Sequence, residues 1–341
     1  MATTTKRAPA AGKKTLPATM RAAAIDEFGP PSVLTLHTVP VPTPGPHEVL
    51  IAVHAAGVGV WDAKIRDGTW AKDRHRFPRI LGTDGAGYVV ATGTGVTRFA
   101  RSDRVWAYAY DNPKGGFYAE YVAVHTDSVA AAPRALKMLE AGAAAVTGLT
   151  ALQGVDDHLD VRQRQTLLIF GGSGAVGTLA IQFAKRRGAQ VIATASGDDA
   201  KGLVRELGAD HALDARSDEA MTQLERFAPD GLDHVLALAG GSALDRMITR
   251  VKVGGRVAYP NGVEPEPTRR EGVRTIAYDA VVAPPQWEAL DRAVTEAQLR
   301  VPLGGVFPLE QAAQAHARLE QGHVLGRIVL KICEEEGDGE P

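Results

Sequence analysis

The chain has 341 residues and a formal net charge of −2, so it lacks the basic excess that neutralises a phosphate backbone, and nucleic acid is excluded as a main partner. At 45% hydrophobic and 23% charged residues the composition is that of a globular protein, and the length allows about two domains. The single cysteine, Cys333, rules out a disulfide within the chain and a cysteine-built zinc site, and the ten histidines contain no i, i+4 pair.

No apolar run approaches the roughly 18 residues of a membrane span, so no membrane partner is expected. No apolar leader segment is visible at the start, and the expected location is the cytoplasm. Residues 1–19 are small, polar and basic and read as a disordered tail, with the fold beginning at Met20. From 20 to 134, short apolar stretches such as EVLIAVHAAGV, AGYVVATGTGV, DRVWAYAY and YAEYVAV are separated by Gly, Pro and Asp turns, the pattern of a barrel or sandwich of short strands. From about 135 the texture changes. A helix-forming alanine-rich segment, MLEAGAAAVTGLTALQGVDDH, leads into alternating strands and helices. TLLIFG is followed by a helix over 175–187, QVIATA by one near 200–207, HALDA by one through MTQLERF, DHVLALAG by one near 243–251, and GRVAYP closes the series. Repeated β-α units of this length imply a doubly wound parallel sheet over 135–302. The segment 303–333 carries a helix over 309–321 and a last strand, GRIVLKI, and 334–341 is an acidic tail.

The hexamer Gly172-Ser173-Gly174-Ala175-Val176-Gly177 stands between the first strand of that series and its helix. A G-x-G-x-x-G in this context is a dinucleotide-binding loop. Gly172 is assigned the tight turn, Gly174 the close approach of a pyrophosphate, and Gly177 the packing of helix on strand. The helix N-terminus then offers its N–H groups and positive dipole end to the phosphates. An NAD site usually has an acid at the tip of the second strand, about 20 residues on, to bind the ribose. Here the tip is Ala195-Ser196, with Lys201 just beyond, and this favours NADPH over NADH. Asp198 and Asp199 oppose that choice unless they face water.

On these residues the chain resembles the medium-chain dehydrogenase/reductases, and within them the zinc-free quinone oxidoreductase (zeta-crystallin-like) branch, from Met20 to Lys331. AAGVGVWDAKIRDG (55–68) is similar to the family's A-x-G-V-N-P-x-D-x-x-x-R-x-G, and ILGTDGAGYVVATGTGV (80–96) to its L-G-x-D-x-A-G-x-V-x-x-x-G-x-x-V. AAAVTGLTALQGV (143–155) is similar to the segment whose Thr lies against the nicotinamide, and LGAD, GLDHVLALAGG, GGRVAYPNG and GRIVLKI fall at family positions. The resemblance implies a GroES-like β-rich domain (20–134 and 303–333) joined to a Rossmann domain (135–302), a cleft between them, and a homodimer formed edge to edge through the dinucleotide domains. In the zinc-dependent branch the catalytic metal is held at positions that correspond here to Gly59, Thr83 and Asp84, which could not rebuild that site. No metal is therefore expected.

The resemblance also assigns side chains. The family's pocket Asn is Gly59 here and its Tyr five residues on is Lys64, so Gly59 opens space that Trp61 can fill. Lys64 is a candidate to orient or protonate the acceptor oxygen, the alternative being a side chain that snorkels to solvent. Thr150 is the candidate for the nicotinamide amide, the alternative being a helix Thr bonded to its own turn. Tyr118 is a candidate at the cleft mouth. Gly240 and Gly241 are placed at the nicotinamide ribose and Arg327 beside the cofactor. Asp62 is expected to bond backbone, and His54 to be a packed core histidine. The expected activity is zinc-independent, NADPH-dependent hydride transfer to a small conjugated acceptor, a quinone. The alternatives are reduction of the C=C bond of an α,β-unsaturated carbonyl, including a carrier-bound one, and a non-catalytic NADPH-binding structural or sensor protein.

Overall fold

A computed structural model describes residues 16–70 and 76–333. The acidic tail 334–341 and residues 1–15 of the expected N-terminal tail lie outside the described residues. The first strand starts one residue before Met20: Thr19 already pairs with Pro40 in the strand Thr19–Ile25.

The second half of the chain forms a six-stranded, wholly parallel sheet. Its spatial order is His211–Leu213, Gln190–Thr194, Thr166–Phe170, Leu232–Ala237, Val251–Pro260, Arg274–Tyr278. This is the doubly wound order 3-2-1-4-5-6, whose direction reverses between the first and fourth strands. Every residue of the first strand, Thr166–Phe170, is buried, as a strand covered on both faces must be. The expected helices follow their strands, and the structure adds two elements that the sequence patterns did not separate: the edge strand Arg274–Tyr278 and the helix Pro284–Ala297.

The first half builds a seven-stranded sheet centred on the long strand Glu48–Val58, which pairs antiparallel with Asp84–Thr92 and Tyr121–His125. The end of the chain returns to this sheet. Arg327–Lys331 pairs antiparallel with the same central strand, Ile328 opposite Val58, and Leu303–Pro308 runs parallel beside it.

The alanine-rich helix Met138–Gln153 lies between the two sheets. Fourteen of its residues are buried, so it has no polar face, and small side chains set how closely it approaches its neighbours. A Cβ on Gly142 would come within 2.6 Å of the Ala55 Cβ on the central strand of the β-rich sheet. On Gly148 a Cβ would come within 3.1 Å of Leu290, in the helix Pro284–Ala297. One core thus runs continuously from Ala55, Ala86 and Trp106 through this helix to Leu167, Ile169 and Leu290.

Candidate active site

The cleft lies where the order of the parallel sheet reverses. Gly171, just past the strand Thr166–Phe170, and Leu238, just past Leu232–Ala237, both line it. Ligands bind at this switch point in open α/β sheets. Gly174, Ala175, Val176 and Gly177 continue the wall, and Val58, Gly59, Val60, Trp61, Thr147, Gly326 and Arg327 face them across a space of about 210 Å³.

The glycine loop divides its tasks. The left-handed turn falls on Gly171 (φ +91°), not on Gly172 as the sequence suggested. Gly171 donates its N–H to Thr194 Oγ1 and Gly172 donates to the Thr194 carbonyl, at 2.8 and 2.9 Å, which ties the loop to the second strand. Gly172 is glycine because a Cβ there would reach the Ala193 Cβ at 2.8 Å. Gly177 has the expected packing role, since a Cβ would lie 2.3 Å from the Gly171 carbonyl oxygen. Gly174 is different: its Cβ would meet only the Gly171 oxygen, at an ordinary 3.6 Å. Among the described residues nothing requires a glycine there, so the bare backbone at the start of the helix Ala175–Arg186 fits the approach of a phosphate. The returning strand closes over the loop, with the Gly326 N–H donating to the Ser173 carbonyl at 2.8 Å.

At the tip of the second strand, the Ser196 hydroxyl donates to Asp214 at 3.0 Å. Lys201 lies 3.6 Å from Asp198, whose side chain is fully exposed. Asp199 is held 3.0 Å from His323 Nε2, and this hydrogen bond is the main reason its carboxyl titrates below the ordinary range. Gly240 is bare because a Cβ would strike the Pro265 carbonyl at 2.0 Å, and Gly241 adopts φ +119° to open the helix Ser242–Ile248.

On the opposite wall the central strand ends at Val58, and Gly59 caps the short helix Val60–Arg66. The Gly59 N–H donates to Asp62 Oδ2 at 2.8 Å, the backbone role expected of Asp62. A Cβ on Gly59 would lie 2.4 Å from the Trp61 ring, so the indole occupies the space that Gly59 vacates. The indole N–H donates to Thr83 Oγ1 at 2.6 Å. Arg327 stacks over the Trp61 ring, 4.7 Å from its centroid, and donates from Nη2 to Asp84 Oδ1 at 2.8 Å. Arg327 and Asp84 are 3% and 0% exposed. Burial pushes the Asp62 carboxyl up to about 7, against the pull of Arg327 and with the Asp84 carboxyl adding to the rise. Burial also raises the Asp84 carboxyl, and the Arg327 charge opposes it. Among the described residues no group of three or more His, Cys, Asp or Glu could hold a metal ion.

The segment 45–134 matches the model described as alcohol dehydrogenase GroES-like domain, and 207–330 the model described as zinc-binding dehydrogenase. The quinone oxidoreductase of Sus scrofa is 31% identical over 327 residues, covering 92% of this chain and 98% of that protein. The chain belongs to the medium-chain dehydrogenase/reductase family. Within it the chain is quinone oxidoreductase-like: the solved quinone oxidoreductase from Coxiella burnetii has a TM-score of 0.84 at 31% identity, covering 92% of this chain and 100% of that one. A mycobacterial structure solved with NADPH has a TM-score of 0.81 at 26% identity, covering 92% and 100%. This medium-chain reductase is thus an NAD(P)H oxidoreductase that uses a pyridine nucleotide.

Three expected side chains stand elsewhere. Thr147, not Thr150, lines the cleft; the Thr150 hydroxyl bonds back to the Val146 carbonyl at 2.9 Å. Tyr118 is not at the cleft mouth but fully buried, its hydroxyl 3.1 Å from His316 Nε2. Burial, with the nearby Arg66, pushes His316 down to about 3, so the ring is neutral. Arg66 donates to Nδ1 at 3.0 Å and has no acceptor of its own, so the proton sits on Nε2 and is donated to Tyr118. Lys64 is absent from the cleft lining. Its ammonium lies 3.1 Å from Glu264 and 5.1 Å from the Trp70 ring centroid, joining the helix Val60–Arg66 to the loop after the strand Val251–Pro260. Arg327 lines the cleft as expected, though as half of a buried ion pair rather than as a solvated cation. His54 is buried, in keeping with a packed core histidine. Thr147 was missed because two threonines three residues apart on a helix buried all round give no phase signal.

Proposed function

We propose that this medium-chain reductase is a zinc-independent enzyme that uses NADPH to reduce a quinone. The observation that carries the choice of acceptor is that, among the described residues, the cleft wall offers no available proton donor. Among the polar side chains there, the Trp61 N–H is committed to Thr83 and the Thr147 hydroxyl donates to the Ala143 carbonyl at 2.7 Å. Arg327 is a cation that does not release its proton. Lys64, the candidate acid, is engaged with Glu264. An enone reduced at its β-carbon leaves an enolate whose α-carbon must take a proton, from a side chain such as Lys64 or from a water. A quinone leaves a less basic hydroquinone anion that needs little acid–base help, so a wall without a placed donor suits a quinone.

When bound, the nicotinamide supplies the hydride. The chain's part is to bind and orient. Thr147 has given its one proton to its own helix, so it turns only lone pairs to the cleft and can accept from a carboxamide. The N-terminus of the helix Ala175–Arg186 and Gly174 suit the pyrophosphate. At the ribose end the reading of NADPH is supported by Ser196, and not an acid, closing the second strand, with Lys201 nearby and Asp199 bonded to His323, while the Ser196 hydroxyl itself donates to Asp214. The mycobacterial relative solved with NADPH agrees with that choice. Zinc independence rests on residue identity: Gly59 offers no ligand, Thr83 accepts from Trp61, and Asp84 is bonded to Arg327.

The decisive experiment follows NADPH and NADH consumption by chelator-treated protein with a 1,4-quinone and with a 2-alkenal. NADPH oxidation that is faster with the quinone is expected. Faster alkenal turnover would shift the assignment to C=C reduction, and tight NADPH binding without turnover would leave a binding protein. We also propose a cytoplasmic homodimer joined along the edge strand Arg274–Tyr278, and light scattering of the purified protein tests its mass. Among the described residues no helix is long and apolar enough to cross a membrane.

A further inference from the structure

Among the described residues Trp61 is the one aromatic side chain on the cleft wall, and the structure fixes it from three directions. Its N–H is anchored on Thr83 at 2.6 Å. One face is covered by the Arg327 guanidinium, 4.7 Å from the ring centroid, and Arg327 is held in turn by Asp84. Arg327 also lies against bare backbone, since a Cβ on Gly57 would come within 2.5 Å of Nη2. On the six-membered side of the indole, Gly59 leaves room that any Cβ would fill at 2.4 to 2.5 Å. The ring remains only half-buried and borders the cleft together with Thr147 and Leu238. At about 210 Å³ the space is small beside the roughly 300–1,000 Å³ of common ligand pockets.

We propose that Trp61 is the residue that selects the acceptor: its clamped indole is a stacking wall that takes flat, ring-shaped conjugated acceptors in preference to open-chain ones. This rests on the reading of the cleft as the acceptor site and deepens it by naming the class, mono- and bicyclic quinones. The physical reason is preorganisation. An aromatic ring that is already immobilised loses no rotamer freedom on binding, and an offset stack adds about two- to tenfold in affinity beyond the area buried. An open-chain 2-alkenal presents no π-face of comparable extent and gains little from the same wall. The chemistry at the acceptor is unchanged, so Trp61 is a specificity residue and not a catalytic one.

The test compares wild type with Trp61→Leu, Trp61→Phe and Thr83→Val. The first removes the ring, the second keeps a smaller one, and the third keeps the indole but frees its anchored edge. Two readouts are taken: the ratio of kcat/KM for a 1,4-naphthoquinone to that for a 2-alkenal, and the Kd of 1-naphthol, a flat non-reducible probe, with the oxidised cofactor present. Trp61→Leu is expected to lower the ratio and raise the 1-naphthol Kd by about tenfold each, with Trp61→Phe and Thr83→Val between. An unchanged ratio in Trp61→Leu, or a parallel fall for both acceptors, overturns the proposal. If Trp61→Leu does not fold, the graded loss in the other two variants carries the same decision. The proposal and the quinone reading fail separately. Wild type that reduces only the alkenal, while 1-naphthol binding still depends on Trp61, refutes the reading and keeps the wall. Fast quinone turnover indifferent to Trp61 does the reverse.

Discussion

Asp62 offers a test of the buried charge cluster that does not depend on turnover. Its carboxyl is 1% exposed, and Oδ1 has no hydrogen-bond partner among the described residues. Burial is the main cause that lifts it from 3.8 to about 7. A folded-state pKa above the unfolded one means that the folded protein holds the proton more tightly. Stability from this group is therefore complete below the unfolded pKa and is lost as pH rises through the folded one. A rise from 3.8 to about 7 corresponds to about 4 kcal/mol once the group is ionised in both states. Between pH 5 and pH 8.5 the part lost is about 2.5 kcal/mol. Asp62→Asn removes the titration and keeps an oxygen to accept from Gly59, at some fixed cost for the new amide N–H groups. That fixed cost cancels when the two pH values are compared. Urea unfolding of both proteins at pH 5 and 8.5 is the assay. The variant is expected to gain on the wild type by about 2.5 kcal/mol over that interval. If the two stabilities change in parallel with pH, Asp62 is ionised throughout and the account of the cluster is wrong.

Further substitutions separate packing from binding. Gly177→Ala is expected to cost about 1–3 kcal/mol in urea unfolding, because its Cβ would lie 2.3 Å from a backbone oxygen. Gly174→Ala should leave stability unchanged yet weaken NADPH by about tenfold or more in a fluorescence titration, since only a ligand needs that space. Thr147→Val should raise the cofactor Kd by about two- to tenfold while Thr150→Val leaves it alone, and equal effects would refute the placement of Thr147. Lys64→Met should change quinone turnover by less than about twofold and stability by at most ~1 kcal/mol, as for other partly exposed ion pairs. A collapse of kcat would return Lys64 to the chemistry.

The parts of this fold that were legible in the sequence are those whose cause is local. The glycine hexamer, the apolar run before it and the amphipathic helix behind it are consequences of backbone geometry within a few residues, and the parallel sheet followed from the repeated strand-helix units. The edge strand Arg274–Tyr278 was not separated because its buried and exposed positions do not alternate. The helix Val60–Arg66 was missed for a similar reason: it is seven residues long, too short for a period to register, and its start depends on an Asp62 cap over a glycine.

The candidate site was less legible because its side chains take their roles from partners far along the chain. Lys64 has the chemistry of an acid catalyst, but Glu264, two hundred residues on, engages it. Tyr118 looks like a pocket residue until His316 and Arg66 bury its hydroxyl in a polar chain inside the β-rich sheet. Arg327 and Asp84 are separated by 243 positions and lie 2.8 Å apart, which turns a strand-end cation and a metal-position acid into one neutral pair. The same pairing accounts for what occupies position 84, one of the three that correspond to the family's metal positions. A buried carboxylate at position 84 needs a cation, and in this chain the guanidinium of Arg327 supplies it. Once the guanidinium is fixed there, its free face needs an aromatic cover, and Trp61 provides one only because position 59 has no side chain. Gly59, Trp61, Asp84 and Arg327 are thus one coupled set. A side chain at position 59 would meet the indole at 2.4 Å, so that position cannot regain one while Trp61 stays clamped between Thr83 and Arg327.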